Sequence, residues 1–316
     1  MGHYFDLSLF ATAIRTATPI ALAAMGGLMC QRCGVFNIGL EGLMLIGAFS
    51  ATAGVCWFGG SMIMGLVTAV VFSMLLSLVY AMAVLKLNAN AIVASIAINL
   101  LGVGLTSYFL RVMFDTSGSL KPDVITKAKS ITIPVLKDIP VLGELFSGQN
   151  YMVYLCMLIT LITAVVLYRT HFGLAVRAIG ESPETAEAAG IKTNRIKLLA
   201  ILWSGFMCGL GGAYMSTVSV TSFTENMVAG RGYTAFTAFV FGGADPIATW
   251  LVALLLGVAD AIGVRFELLA SNISPYLVKT FPYVFALIAL ALSSTMRRAR
   301  QTGKKVKTKK ETAKAS

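Results

Sequence analysis

Long apolar stretches dominate this chain, and most of them are about as long as a bilayer is thick. A helix needs about 20 apolar residues to cross a hydrocarbon layer ~30 Å thick. The pattern therefore predicts an all-α fold, a polytopic transmembrane helical bundle of about 8–10 helices. The membrane domain is expected over residues 1–296. The stretches lie at 8–30, 36–58, 61–86, 90–113, 151–168, 197–220, 247–264 and 276–296.

One further apolar stretch, residues 232–243, is too short to cross a bilayer. From Tyr233 it has about eleven residues, which measure about 16 Å as a helix. It ends at Gly242-Gly243, and the segment before it, 218–231, is rich in Thr, Ser and Gly. Irregular backbone at membrane depth is tolerated only against protein or a water-filled cavity. A short segment interrupted by glycine therefore indicates a permeation path.

A strongly polar interruption, residues 169–197, separates two of the long stretches. Within it Ser182 suits a helix N-cap, Pro183 suits the first helical position, and Gly190 can end the helix in a left-handed conformation. The predicted helix has about seven residues, and isolated helices shorter than ~12 residues are marginal in water. We therefore expect another protein to dock onto it. The residues expected at that contact are Glu181, Ser182, Pro183, Glu184, Glu187, Ala188 and Gly190.

The charges of the loops predict their sides of the membrane. The 169–197 loop carries five basic and three acidic residues, and residues 297–316 carry nine basic residues and one acidic residue. Basic excess marks cytoplasmic loops, so we expect this loop and a basic, disordered tail inside. The balanced 114–150 loop, with a short strand at 130–133, is expected outside. This gives about nine crossings and an external N-terminus. Alternatively, the first half of segment 8–30 lies along the interface and leaves the N-terminus inside.

Composition narrows the classes of function. Hydrophobic residues make up 57% of the chain and charged residues 12%, against about 25% charged in a soluble domain. The net charge of +11 is concentrated in the tail, beside a membrane segment, which indicates contact with anionic lipid rather than nucleic acid. The sequence has no phosphate-binding loop, zinc signature or catalytic acid–base pair. We therefore expect no enzymatic activity, no metal and no cofactor in this chain.

Several polar residues lie inside or beside the apolar stretches. Asn37 and Glu41 share one face if their segment is helical, and an ionisable group in an apolar run indicates a functional site by default. The structural alternative is that Glu41 bonds to backbone or pairs with Arg32. Amides can likewise bind a neutral polar solute or cross-link helices. The candidates for a pathway or for helix packing are Asn37, Gly39, Glu41, Asn90, Asn99, Gly242 and Gly243.

The runs 37–49, 177–191 and 242–243 resemble the membrane subunits of bacterial ABC importers in the branched-chain amino acid, ribose and nucleoside permease superfamily. Asn37-Ile38-Gly39-x-Glu41-Gly42 and residues 97–101 are most similar to the nucleoside branch. The resemblance implies a type II importer permease in the bacterial cell membrane, paired with a second permease subunit in a heterodimer.

The resemblance also implies further partners. A cytoplasmic ATPase would hold ATP-Mg and bind the 182–190 helix, and an extracytoplasmic solute-binding protein would deliver a nucleoside. The alternatives are ribose-type sugars or branched-chain amino acids as substrate, and an ion-driven secondary transporter as mechanism.

Overall fold

The computed structural model of the protein describes residues 7–122, 125, 130–131 and 148–269, and its residues up to Ala261 form one compact unit. The predicted segment 276–296 and the basic tail lie outside the described residues. The helices are α1 (Leu7–Arg32), α2 (Leu40–Trp57), α3 (Met62–Ala81), α4 (Ala91–Phe114), α5 (Tyr151–Arg169), α6 (His171–Glu181), α7 (Pro183–Ala188), α8 (Thr193–Ala213), α9 (Arg231–Phe241) and α10 (Pro246–Leu269). π-Helical turns at Met82–Lys86 and Tyr214–Ser219 extend α3 and α8.

The predicted all-α membrane bundle is confirmed. Within the described ranges, seven helices are long and apolar enough to span a bilayer, and α9 is too short. The most apolar of the seven is also the least buried. The span that contains α3 has a mean hydropathy of 2.5 with 28% of its residues buried, whereas α2 has 1.4 with 89% buried. Lipid tails are as apolar as leucine, so the strongly apolar outer faces suit contact with lipid.

Helix α2 lies at the centre of the unit, packed against α3, α4 and α8, while α1 packs against α8 and α9. Small residues allow these helices to approach closely. A methyl group added at Gly102 of α4 would lie 2.8 Å from Cα of Gly42 in α2. One added at Gly47 of α2 would lie 2.8 Å from Cα of Gly209 in α8. The backbones of three helices therefore meet almost directly around α2.

Two ends of the bundle can be distinguished by their contacts. At the loop end, the antiparallel strand pairs β1 (Ser119–Leu120) with β4 (Phe223–Thr224) and β2 (Ser130–Ile131) with β3 (Gln149–Asn150) connect loop segments. Arg15 Nε of α1 donates to Gln149 Oε1 there, at 2.8 Å. At the opposite end, the α7 end, Arg32 lies beside Ala244.

The contacts at the two ends show how α1 runs through the bundle. It runs as one continuous helix from the loop end to the α7 end, with Leu9, Ala13 and Ala17 buried in its first half. An interfacial first half is therefore wrong. The chain from β4 through α9 to Ala244 also passes from the loop end to the α7 end, although α9 alone is too short to do so.

Candidate functional site

An irregular segment, residues 33–39, connects α1 to α2, and Cys33, Val35, Asn37 and Gly39 within it are buried. Asn99, which bonds to this segment, is the ninth residue of α4 and therefore lies about 12 Å along that helix from its start. Buried backbone groups outside regular structure need partners; here side chains of α3 and α4 supply them, and α8 bonds to the side chain of Asn37. The bonds are Tyr80 Oη to Phe36 O (3.0 Å), Ile38 N to Ser95 Oγ (3.1 Å), Asn99 Nδ2 to Ile38 O (3.2 Å) and Asn37 Nδ2 to Ser204 Oγ (3.2 Å).

The Glu41 carboxylate holds the N-terminus of α9. The backbone N–H of Gly230 donates to its Oε1 at 2.8 Å, and that of Gly232 donates to its Oε2 at 2.7 Å. A helix N-terminus has unpaired N–H groups and a positive dipole, so a carboxylate there is well stabilised. Gly232 permits the approach, because a methyl group added there would lie 2.5 Å from Cα of Glu41.

Asn99 connects the irregular segment to both neighbouring helices. Its Oδ1 accepts from the N–H of Gly42 at 2.8 Å, and its Nδ2 also donates to Tyr233 Oη of α9 at 3.2 Å. We call the cluster of Asn37, Glu41, Asn99, Ser204 and Gly232 the junction. It joins α2, α4, α8 and α9 where two irregular segments, 33–39 and 220–230, meet.

The sequence-based expectation for Asn37 is wrong in one respect. Asn37 and Glu41 do not share a helical face, because α2 begins only at Leu40. Asn37 Oδ1 accepts from the N–H of Gly39 at 2.8 Å, a local bond of the kind that competes with helix formation. Glu41 bonds to backbone, and Arg32, its suggested alternative partner, instead donates to Ala244 O.

Asn90 lies apart from the junction, at the α7 end. Its side chain caps the N-terminus of α4 by accepting from the N–H groups of Ile92 at 2.9 Å and Val93 at 3.3 Å, and it is exposed. A structural cap accounts for this residue. Gly242 and Gly243 also lie at the α7 end, in the turn between α9 and α10, and Gly243 has a positive φ of 63°.

The short helix is present where the sequence places it. Helix α7 spans Pro183–Ala188, Ser182 Oγ accepts from the N–H of Thr185 at 3.3 Å, and Gly190 follows with a φ of +81°. Only Ala186 within α7 is buried. Glu187 accepts a hydrogen bond from Thr193. Of the seven residues expected at the docking contact, all but Ser182 are exposed, namely Glu181, Pro183, Glu184, Glu187, Ala188 and Gly190.

Helix α6, which the sequence did not suggest, connects α7 to the rest of the bundle. It buries Gly173, Val176 and Ile179 on one face. Gly180 lies against the last carbonyl of α1, where an added methyl group would meet Arg32 O. The apolar residues of α6 recur at i, i+3 and i+6. This spacing is a weak signal in the sequence, because the segment is short and lies among charged residues.

A polar cluster connects α1, α5, α6 and the turn between α9 and α10. Arg32 Nε donates to Ala244 O at 2.6 Å, and Tyr168 Oη donates to Asp245 Oδ2 at 2.6 Å. The guanidinium of Arg177 lies 5.6 Å from the centre of the Tyr168 ring, within cation–π range. We call these five residues the α7-end cluster. It joins the turn after α9 to α1 and α5, and reaches α6 through Arg177.

Asp245 in this cluster is held ionised. Burial raises the pKa of Asp245, but the N–H of Ala248 and the hydroxyl of Tyr168 donate to its carboxylate and outweigh burial, so the pKa lies below its ordinary value. The carboxylate thereby caps the N-terminus of α10.

An ion pair lies between α9 and α10, and no local pattern in the sequence indicates it. Arg231 Nη2 is 3.2 Å from Asp260 Oδ2, and the two side chains are 27% and 26% exposed. Asp260 lies fourteen residues beyond Pro246, about 21 Å along α10. Within the described part of the chain, no group of His, Cys, Asp and Glu is arranged to hold a metal.

The fold and the site define a class of protein. Spanning helices with apolar outer faces make it a multi-pass membrane protein, and a discontinuous crossing with buried polar contacts is typical of membrane transport proteins. The comparison with protein families makes this specific. Residues 9–294 match the family described as branched-chain amino acid transport system / permease component, and the chain belongs to it.

Individual relatives align over most of this chain. The guanosine ABC transporter permease protein NupQ of Bacillus subtilis is 34% identical over 87% of this chain and 88% of its own length. The nucleoside ABC transporter permease protein NupC of Lactococcus lactis is 31% identical over 90% and 91%. TsgC13 of Haloferax volcanii, whose name refers to a glucose ABC transporter, is 28% identical over 91% and 92%. Bacillus subtilis NupP, also named a guanosine permease, is 24% identical over 81% and 74%.

Proposed function

We propose that this chain is the permease subunit of an ATP-driven ABC importer of nucleosides in a bacterial cell membrane. The observation that carries the proposal is the identity of 34% and 31% to guanosine and nucleoside permeases along almost the whole chain. The glucose relative is less similar, and sugars are therefore the second candidate substrate.

The proposal includes a second, different permease subunit. NupQ and NupP come from one bacterium, carry the same substrate in their names and are both similar to this chain. This supports a heterodimer with the solute pathway between two related subunits. An extracytoplasmic solute-binding protein would deliver the nucleoside at the loop end.

The remaining partner is a cytoplasmic ATPase, which holds ATP-Mg and binds α7. Six exposed residues at and around this helix support the docking, since a six-residue helix that buries one side chain is held only weakly by its own subunit. In this arrangement the α7 end, and with it the basic tail, is cytoplasmic. ATP-driven closure of the ATPase would move α7 and rock the helices between two states. This chain itself contributes no catalytic group.

The test is transport by the complete complex in proteoliposomes. We expect ATP-dependent uptake of guanosine in preference to ribose, glucose and leucine. Preferred uptake of glucose or leucine would contradict the nucleoside assignment, and uptake driven by an ion gradient without ATP would contradict the ABC mechanism.

Docking is tested separately with Glu184→Lys combined with Ala188→Trp. Both side chains are exposed, so we expect normal membrane insertion, loss of uptake and loss of ATPase copurification. The control is Lys121→Glu, a charge reversal at an exposed position of the loop end. Normal uptake and copurification in the double variant would contradict docking on α7.

A further inference from the structure

Exposed side chains on most of the outer helices are uniformly apolar. On α3 these include Val67, Val71 and Leu75, and on α5 they include Leu161 and Val165, all between 46% and 59% exposed. Such faces suit contact with hydrocarbon chains. One exposed surface of the subunit differs from these apolar faces.

That different surface is formed by the segment 220–230 and one face of α9. Residues 220–222 and 225–230 have irregular backbone on either side of β4, with positive φ at Thr221, Asn226 and Ala229, and Asn226 and Ala229 are exposed. Where this segment runs from the loop end into the bundle, backbone of this kind lies against protein or lines a water-filled cavity and does not face lipid.

One face of α9 continues from this segment toward the α7 end and carries both polar and apolar side chains. Tyr233, Thr237 and Val240 follow one another at helical spacing, and their neighbours Gly232, Ala235 and Phe239 are buried on the other side. Tyr233 is 44% exposed, and its hydroxyl group is held by Asn99. An aromatic ring is thus presented at membrane depth in a fixed position.

The Arg231–Asp260 pair lies at the start of α9, and by helical spacing Arg231 is on the opposite side of that helix from Tyr233. Charged side chains within a membrane almost always face the bundle interior or a water-filled cavity, yet both members of this pair are about one quarter exposed. Because Asp260 lies about 21 Å along α10 in a layer ~30 Å thick, the pair marks a polar part of the subunit at membrane depth, on a side of α9 that Tyr233 does not face.

We infer that the segment 220–230 and the Tyr233–Thr237–Val240 face of α9 form this subunit's wall of the solute pathway, and that Tyr233 contacts the solute. The inference rests on the proposed function for its solute. The chemistry fits a neutral molecule with an aromatic ring and hydroxyl groups, which is a nucleoside. The ring of Tyr233 would stack on the base.

Water access to the wall is tested by labelling in the assembled complex. In a Cys56→Ser background, whose other four cysteines are buried, we compare Thr237→Cys with Leu161→Cys. A charged, water-soluble thiosulfonate should modify the cysteine at 237 and leave the one at 161 unmodified, and 1 mM guanosine should slow the reaction at 237. An unmodified cysteine at 237, covered by lipid or by the second permease, would overturn the inference. Modification that guanosine does not slow would overturn solute contact.

The role of Tyr233 is tested by kinetics. Tyr233→Ala should raise the KM for guanosine about tenfold, the equivalent of about 1.4 kcal/mol, with little change in maximal rate, and Tyr233→Phe should retain most of the affinity because it keeps the ring. Tyr108→Ala, at a 60% exposed position of α4, is the control. Equal KM values for Tyr233→Ala and Tyr108→Ala would overturn solute contact. Absence of guanosine uptake by the unmodified complex would instead contradict the proposed function, and labelling at 237 would still test the wall.

Discussion

The bond between Glu41 and α9 gives a quantitative prediction for Glu41→Gln. Both carboxylate oxygens accept a backbone N–H, at 2.8 and 2.7 Å, in a buried site. Glutamine keeps one acceptor but places its NH₂ group against the other N–H. A hydrogen bond to a charged group contributes about 1.5–3 kcal/mol, and an unsatisfied buried donor has a similar cost. We therefore expect the N-terminus of α9 to detach from α2 more readily by about that free energy.

The assay is hydrogen–deuterium exchange of the peptide that covers residues 228–236. A cost of about 1.5–3 kcal/mol corresponds to roughly 10- to 150-fold faster exchange of the Gly230 and Gly232 amides. Glu225→Gln is the matched control, because Glu225 accepts from the N–H of Gly118 at 3.3 Å in an exposed place where water can substitute. Unchanged exchange at 230 and 232 in Glu41→Gln would refute the role of this carboxylate as an anchor for α9.

Three further changes test other parts of the structure. Gly102→Ala should reduce the yield of folded protein, because the added methyl group would lie 2.8 Å from the α2 backbone. The control is Gly104→Ala on the same helix, whose methyl group meets nothing within 4 Å and should be tolerated. Equal yields of the two variants would contradict the close α2–α4 packing. Asp245→Ala should lower the unfolding free energy by about 0.5–2 kcal/mol at pH 7 through loss of the α10 cap. Because the pKa of Asp245 in the folded protein is below its ordinary value of about 3.9, this contribution is complete above that value and is lost as the pH falls below it. Unfolding curves from pH 3 to 7 should therefore converge at the acid end, and a constant difference would contradict the assignment. Ser182→Ala should accelerate amide exchange of residues 184–188 about fivefold, the equivalent of ~1 kcal/mol for a lost cap. Unchanged exchange there would contradict the capping role.

The elements that the sequence predicts well are those fixed by one dominant local cause. Bilayer thickness sets the length of an apolar segment, so the predicted 90–113 and 151–168 correspond to Ala91–Phe114 and Tyr151–Arg169. Cap chemistry acts within a few residues, so Ser182 and Pro183 locate the start of α7. Both signals are complete within their own segment and need no information about the partner helices.

The elements that it misses depend on contacts between distant residues. Asn37 and Glu41 look like one face of a helix, yet their partners Ser204 and Gly230 are 167 and 189 residues away along the chain. Ser204 bonds to Asn37 within the irregular residues 33–39, and Gly230 bonds to Glu41 at the start of α2. A periodic pattern in the sequence cannot indicate either contact. The Arg231–Asp260 pair joins two helices across a glycine-containing turn, and nothing in either segment alone suggests the pairing.

Helix α9 connects the two parts of the site that the sequence treats separately. Its first turn is fixed to α2 through Glu41, and the turn after its last residue is fixed to α1 through Arg32 and to α5 through Tyr168 and Asp245. Helix α6, which continues into α7, lies against the same end of α1. A helix of eleven residues measures about 16 Å and moves as a rigid body. Under the proposed docking, a shift of α7 and α6 would reach α9 through the α7-end cluster and through the packing of α9 on α1, and the Glu41 bonds would hold the first turn of α9 in place. Each tilt of α9 would change the position of its exposed face relative to the solute. A movement of α7 at the membrane surface would in this way change the shape of the pathway through one short helix.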